Sequence, residues 1–122
     1  MQTLKELKAE ASKIGAKISK IEHESRTETN RQHVGRYFKY RNCYSCPEKP
    51  SDYWWLYIRV TGLDRDGSLQ YTECQIDKYG EITIKAKKHM YWLTDGYIPI
   101  SAAEFGRAWD RVAAKLNAID PR

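Results

Sequence analysis

Nine consecutive residues, Tyr53-Trp54-Trp55-Leu56-Tyr57-Ile58-Arg59-Val60-Thr61, constrain this chain more than any other stretch. Side chains alternate across a strand, so an extended run sends Trp54, Leu56, Ile58 and Val60 to one face and Tyr53, Trp55, Tyr57 and Arg59 to the other. The first face reads as core. The second is a stripe of three rings and a cation, which a strand does not need for its own stability and which suits contact with something flat.

At 122 residues the chain fits one domain, and folding at this size removes roughly two-thirds of the surface the unfolded chain exposes, enough for a single core without disulfides. Cys43, Cys46 and Cys74 are an odd set, and the start Met1-Gln2-Thr3-Leu4-Lys5-Glu6 lacks the apolar run of a secretory signal. A reduced, cytoplasmic setting is the expectation. Lys or Arg interrupts every hydrophobic run short of the roughly 20 residues a bilayer span needs, so no membrane segment is expected.

The net charge of +5 is unevenly spread. Residues 35–60 carry Arg36, Lys39, Arg41, Lys49 and Arg59 against Glu48 and Asp52, whereas residues 61–100 set five basic against six acidic side chains. Tyr37, Phe38, Tyr40, Tyr44, Tyr53, Trp54, Trp55 and Tyr57 lie in the same basic stretch, so eight of the fifteen aromatic residues are interleaved with its cations. Such interleaving marks a nucleic-acid stacking platform. It equally marks a small β domain that concentrates aromatics in its first hairpin to make a core.

Leu4, Leu7, Ala11 and Ile14 follow a 3-4-3 spacing with charged residues between them, which predicts an opening amphipathic helix. Gly15 is its expected stop. Ile18 and Ile21 continue the spacing, however, so a helix running through Gly15 could form a short coiled-coil dimer. Residues 22–33 contain no apolar side chain and read as a mobile polar linker or an exposed segment, giving a division into 1–33, helix and linker, and 34–122, a β-rich globular domain.

Alternation then predicts strands at Arg36 to Tyr44, Tyr53 to Thr61, Leu69 to Ile76, Glu81 to Lys87 and Tyr97 to Ile100. Pro47 and Pro50 end the first strand, and Gly62 to Gly67 and Asp77 to Gly80 make turns. In the fourth strand Ile82, Ile84 and Ala86 are expected to point inward; in the fifth, Pro99 indicates an edge. Ser101 and Glu104 predict a capping box, Ile100 a staple onto Phe105, and Phe105, Trp109, Val112, Leu116 and Ile119 the packed face of a C-terminal helix that Pro121 terminates. The expected fold is α+β: five short antiparallel strands in a curled sheet or small partly open barrel, flanked by an N-terminal and a C-terminal helix. That last helix must cover one side of the sheet, and if it covers Trp55 the aromatic stripe becomes core.

Cys43-Tyr44-Ser45-Cys46 has zinc-knuckle spacing, and Cys74 with His89 would complete a Cys3His set, although those two lie on different predicted elements. Buried or half-exposed thiols are the plainer reading. His23, His33 and His89 are isolated, and no nucleophile elbow, phosphate loop or His-Glu-x-x-His motif occurs. Asp64-Arg65-Asp66-Gly67 lacks the later glutamate of a calcium loop and reads as a turn. Lys85, Lys87 and Lys88 beside His89, Tyr91 and Trp92 either extend a contact face or keep an edge strand soluble. No acid, base, nucleophile or metal set can be named, so no catalysis and no cofactor are expected.

The phrases Val34-Gly35-Arg36-Tyr37-Phe38-Lys39-Tyr40-Arg41-Asn42-Cys43-Tyr44-Ser45, Trp54-Trp55-Leu56-Tyr57 and Ile98-Pro99-Ile100-Ser101-Ala102-Ala103-Glu104-Phe105 resemble small uncharacterised accessory proteins encoded by tailed bacteriophages and prophages, over roughly residues 34 to 115. The resemblance transfers no functional residue. It implies action in the host cytoplasm on host machinery, including antiviral defence systems such as CRISPR. The expected function is then an inhibitor or regulator binding a host protein or nucleoprotein through Tyr53, Trp55, Tyr57 and Arg59 with Lys39 and Arg41. The alternatives are a single-stranded nucleic-acid binder using the same face and a small zinc-stabilised binding domain. As partners the sequence suggests no membrane, and either a monomer or a dimer through the N-terminal helix.

Overall fold

The computed structural model describes residues 3–44 and 49–119. Its elements are α1 (Leu4–Arg31), β1 (Tyr37–Cys43), β2 (Tyr53–Leu63), β3 (Leu69–Ile76), β4 (Ile82–Met90), β5 (Tyr97–Ile100) and α2 (Ala102–Ile119). Every pairing is antiparallel, in the order β4-β3-β2-β1-β5. The fold is α+β with a helix at each end of the chain. Pro99 stands on an edge strand, as expected. Pro47 and Pro121 lie outside the described residues.

The two edge strands, β4 and β5, do not pair, so the sheet is not closed. Four strand spacings separate them, about 19 Å if the sheet were flat. Residues 91–96 join them past one face, where Met90, Leu93 and Tyr97 pack against the core. That face holds the larger core: Phe38, Leu56, Ile58, Val60, Leu69 and Tyr71, with Tyr40, Leu63, Met90, Leu93 and Tyr97 against it. The even-numbered side chains of β2 point here, as their alternation requires.

The opposite face carries the second cluster, Cys74, Phe105 and Val112 with Tyr37, Tyr57, Ile76, Ile82 and Ile100, and α2 lies on it. Ser101 caps α2 by accepting a hydrogen bond from Glu104 N at 3.1 Å, but Glu104 turns its carboxylate to Lys39 rather than back to the cap. The buried side of α2 is Phe105, Ala108 and Val112. Trp109 and Leu116, expected on that side, remain 38% and 41% exposed. The sheet accepts a narrow ridge centred on the small Ala108, and the bulky Trp109 is turned out to its flank.

In β4 the inward expectation fails at Ile84, which is exposed, and at Ala86, also exposed. Ile84 keeps the phase of Ile82, since Cys74 pairs with Ile84 and Ile76 with Ile82, and it is exposed on an edge strand; Ala86 meets a register shift opposite Tyr71/Glu73, beyond which Tyr71 pairs with Lys88 and Leu69 with Met90. The irregularity reverses the alternation midway, so Met90 reaches the first core while Ala86 lies at the break.

α1 corrects two expectations. It does not stop at Gly15, and residues 22–31 are its last turns rather than a linker. A Cβ at Gly15 would meet nothing, so the glycine costs the helix only its intrinsic propensity, about 1 kcal/mol. The start is fixed by a capping box the spacing argument overlooked: Thr3 Oγ1 accepts from Glu6 N at 3.2 Å, and Thr3 N donates to Glu6 Oε2 at 3.3 Å. The far end docks on the sheet through polar groups. Asn30 is fully buried and donates from Nδ2 to Gly67 O at 2.9 Å and Tyr91 O at 2.8 Å. Arg26 donates to Asp66 O at 2.8 Å and lies 4.4 Å from the Tyr91 ring centre. His33 meets Phe38 edge-on at 5.6 Å, and its burial, with Arg36 nearby, holds its pKa below the usual histidine value.

Candidate macromolecule-binding face

The register of β1 on β2 assembles the expected site. Arg41 faces Trp55, Lys39 faces Tyr57 and Tyr37 faces Arg59, so the basic residues of one strand stand beside the rings of the next. The Arg41 guanidinium lies 4.0 Å from the Tyr53 ring centre and the Lys39 ammonium 4.4 Å from that of Trp55. Lys39 is also held by Glu104 Oε2 at 2.9 Å. All six predicted residues therefore share one face. They are not equally available on it.

α2 crosses the middle of the stripe. Tyr57 belongs to the cluster beneath the helix, and its hydroxyl is met by Arg111 Nη2 at 3.3 Å. Tyr53 and Trp55 are half-buried and border a hollow of about 230 Å³ with Arg41 and Pro50, and Trp55 also lines a hollow of about 270 Å³ with Ala108, Arg111 and Val112 at the near edge of α2. Arg59 is exposed on the other side of α2, where it shares a hollow of about 280 Å³ with Tyr37, Phe105, Trp109 and Asp110. The stripe read as continuous is thus divided: an aromatic and basic end at Tyr53 and Trp55, and a separate Arg59 and Trp109 end. Among the described residues Arg41, Arg59 and Arg111 make no ion pair.

Two aromatic groups lie outside the predicted contact set. Trp109, assigned to the core, lies stacked on Phe105 at 6.1 Å with one side open. At the same end of β2 but on the face of Trp54, opposite Tyr53 and Trp55, Tyr44 sits 4.8 Å from Trp54 and 5.7 Å from Tyr79, and both tyrosines are exposed. The Tyr44 hydroxyl donates to Asp77 Oδ2 at 2.5 Å, and this bond pushes its pKa up to about 12 while holding the Asp77 carboxyl below its usual range. Tyr79 was legible only as part of a turn; its neighbour Lys78 pairs with Asp52 at 2.8 Å.

The zinc set is not assembled. Cys74 is fully buried beneath α2 next to Tyr57, whereas His89 pairs with Gln70, four residues along β3 and about 13 Å away. His89 Nδ1 instead meets Asp64 Oδ2. Cys46 lies outside the described residues, and among those described no group of three metal-binding side chains occurs. Distance along one strand, not ligand chemistry, separates Cys74 from His89.

Burial pushes the Cys74 thiol up to about 11 from its ordinary 9, with the Glu73 carboxylate adding to the effect. A raised folded-state pKa means that the neutral thiol contributes full stability below pH 9 and that this is lost as pH rises through 9 to about 11. Alkali should therefore cost about 2 kcal/mol from this group. Urea midpoints at pH 8 and pH 10.5 would measure it, and Cys74→Ala should show a smaller drop than wild type; an equal drop would assign the loss elsewhere.

No family model matches the chain, and no curated protein and no solved structure matches it. Among the described residues, no helix is long and apolar enough to cross a membrane.

Proposed function

We propose that this protein is a non-catalytic binding module of the phage accessory type, which inhibits or regulates a host protein or nucleoprotein machine by gripping an acidic patch with the Tyr53, Trp55, Lys39 and Arg41 end of its sheet. The carrying observation is the pair of cation–ring contacts, Arg41 on Tyr53 at 4.0 Å and Lys39 on Trp55 at 4.4 Å, on rings that remain half-exposed. Rings and cations locked together by strand register are ordered before a partner arrives, so less side-chain entropy is lost on binding. Aromatic and arginine side chains in such surroundings are the usual anchors of protein interfaces. Residues 35–60 supply the basic excess that an acidic partner would complement.

The nucleic-acid reading is weakened by the same contacts. A stacking platform offers free ring faces to bases, and here a cation occupies one face of Tyr53 and one of Trp55. What supports it is Arg41, Arg59 and Arg111 lying on one side of the sheet without acidic partners among the described residues. Three phosphate contacts would give a slope of log K against log salt of about −2 on single strands.

Trp55→Ala should leave the urea midpoint within about 1 kcal/mol of wild type but weaken capture of the host partner by roughly thirtyfold, about 2 kcal/mol. Pull-down from host extract followed by calorimetry with the retained protein measures both. Unchanged affinity would sink the proposal. Fluorescence titration with a single-stranded oligonucleotide, at low and high salt, decides the other reading: a slope near −2 establishes it, and absence of binding at low salt removes it.

A further inference from the structure

We propose that α1 is a self-association element, in which residues 4–21 of two copies of this chain pack as a short antiparallel coiled coil. This goes beyond the strand-face reading and uses a different surface. Leu4, Leu7, Ala11, Ile14, Ile18 and Ile21 repeat at 3-4-3-4-3 along one continuous helix, yet every residue from 4 to 21 is exposed. Docking on the sheet begins only at the contacts of residues 23–30. The free segment is about 27 Å long. A helix of this length without tertiary packing is marginal in water, and Gly15 at its centre makes it more so. Something must cover the stripe.

A second copy fits on three grounds. Its length matches: with Ile21 opposite Leu4, Ile18 opposite Leu7 and Ile14 opposite Ala11, one free segment spans the other, and each helix start arrives where its partner's helix enters the sheet. At that place Ile21, Ser25 and the exposed Trp92 border a hollow of about 500 Å³, which would receive the first turn of the second copy. The side-chain volumes also match, since small Ala11 meets large Ile14 twice; parallel packing would set Ala11 against Ala11 and leave a gap. Parallel dimers moreover favour leucine at the position that Ile14 and Ile21 occupy here. Finally the flanking charges match, because this register puts Glu10 of each copy beside Lys17 of the other. In the parallel register Lys17 would face Glu22 and Glu10 would face Gly15.

Sedimentation equilibrium of the full chain over a roughly hundredfold concentration range is the test. A reversible monomer–dimer equilibrium is expected. Ile14→Lys should weaken it by roughly a hundredfold or more, with the near-ultraviolet circular dichroism of the sheet unchanged, while Ala16→Lys on the opposite side of the helix should not weaken it. Lys17→Glu should weaken it roughly fivefold, and Glu10→Lys with Lys17→Glu should restore wild-type affinity. A wild-type monomer at all concentrations, a dimer indifferent to Ile14→Lys, or equal loss from Ala16→Lys would overturn the proposal. A double reversal no better than Lys17→Glu alone would overturn the antiparallel register.

Discussion

Asn30→Ala is expected to destabilise the protein by about 3 kcal/mol, more than most single substitutions cost. The residue sits in a helix stretch that looks dispensable by sequence, yet it is fully buried and its Nδ2 donates at 2.9 and 2.8 Å to the carbonyls of Gly67 and Tyr91. Alanine removes both donors at once and leaves the buried Gly67 carbonyl and the part-buried Tyr91 carbonyl without them, at about 1 to 3 kcal/mol for a buried unsatisfied group, besides the space the side chain filled. Asn30→Asp, nearly the same shape, should be at least as damaging, because it sets a carboxylate against those two carbonyls. Gly67→Ala acts on the same joint from the other side. Gly67 has φ +84°, and a Cβ there would come within 2.6 Å of the Thr27 backbone nitrogen and 2.8 Å of the His23 carbonyl oxygen. Asn30→Ala and Gly67→Ala should therefore be sub-additive, since either alone opens the joint between α1 and the sheet. Urea unfolding followed by tryptophan fluorescence provides the values. A loss under about 1 kcal/mol for Asn30→Ala would mean that α1 is held by something other than this polar joint.

That joint explains why the helix end was misread. Hydrophobic periodicity marks helices that dock through an apolar stripe, and residues 22–33 dock through Arg26, Asn30 and His33 instead. The carbonyls that Arg26 and Asn30 reach are 37 to 61 residues distant, beyond any local window, and His33 meets a ring on another element. By contrast β2 was legible because Leu56, Ile58 and Val60 alternate strictly and all three are core, although Trp54, expected with them, stays half-buried and donates to Gln75 Oε1 at 2.6 Å. β4 was legible as a strand but not in phase, because the register shift beside Glu73 depends on its neighbour rather than on its own residues. The site was half legible for a related reason. Alternation put Tyr53, Trp55, Tyr57 and Arg59 together correctly, and strand register brought Lys39 and Arg41 to them. Where α2 would cross that face, separating Trp55 from Arg59, depends on the packing of Ala108.

Phe105→Ala and Trp109→Ala test that crossing directly, and they should differ severalfold. Both residues lie on the face that helical spacing marks as core, and by spacing alone the larger tryptophan would cost more. Phe105 is 8% exposed, packs with Val112 and Cys74, and lies 5.1 Å from the Tyr37 ring; its loss should cost about 3 to 4 kcal/mol through transfer and the cavity left behind. Trp109 lies on the flank with one side open to the hollow that Arg59 borders, so its removal should cost about 1 kcal/mol. Ala108→Leu provides the converse, because it forces a larger side chain under the helix and should cost about 2 kcal/mol. Urea denaturation of the three variants settles the orientation of α2 without reference to any partner. Equal costs at Phe105 and Trp109 would rotate the helix, close the hollow over Arg59, and return that end of the stripe to the core. The expected difference instead leaves Trp109 and Arg59 outward, on the far side of α2 from Trp55. Trp109→Ala is then also the control for Trp55→Ala: an exposed tryptophan on the same side of the sheet whose removal should not weaken partner capture.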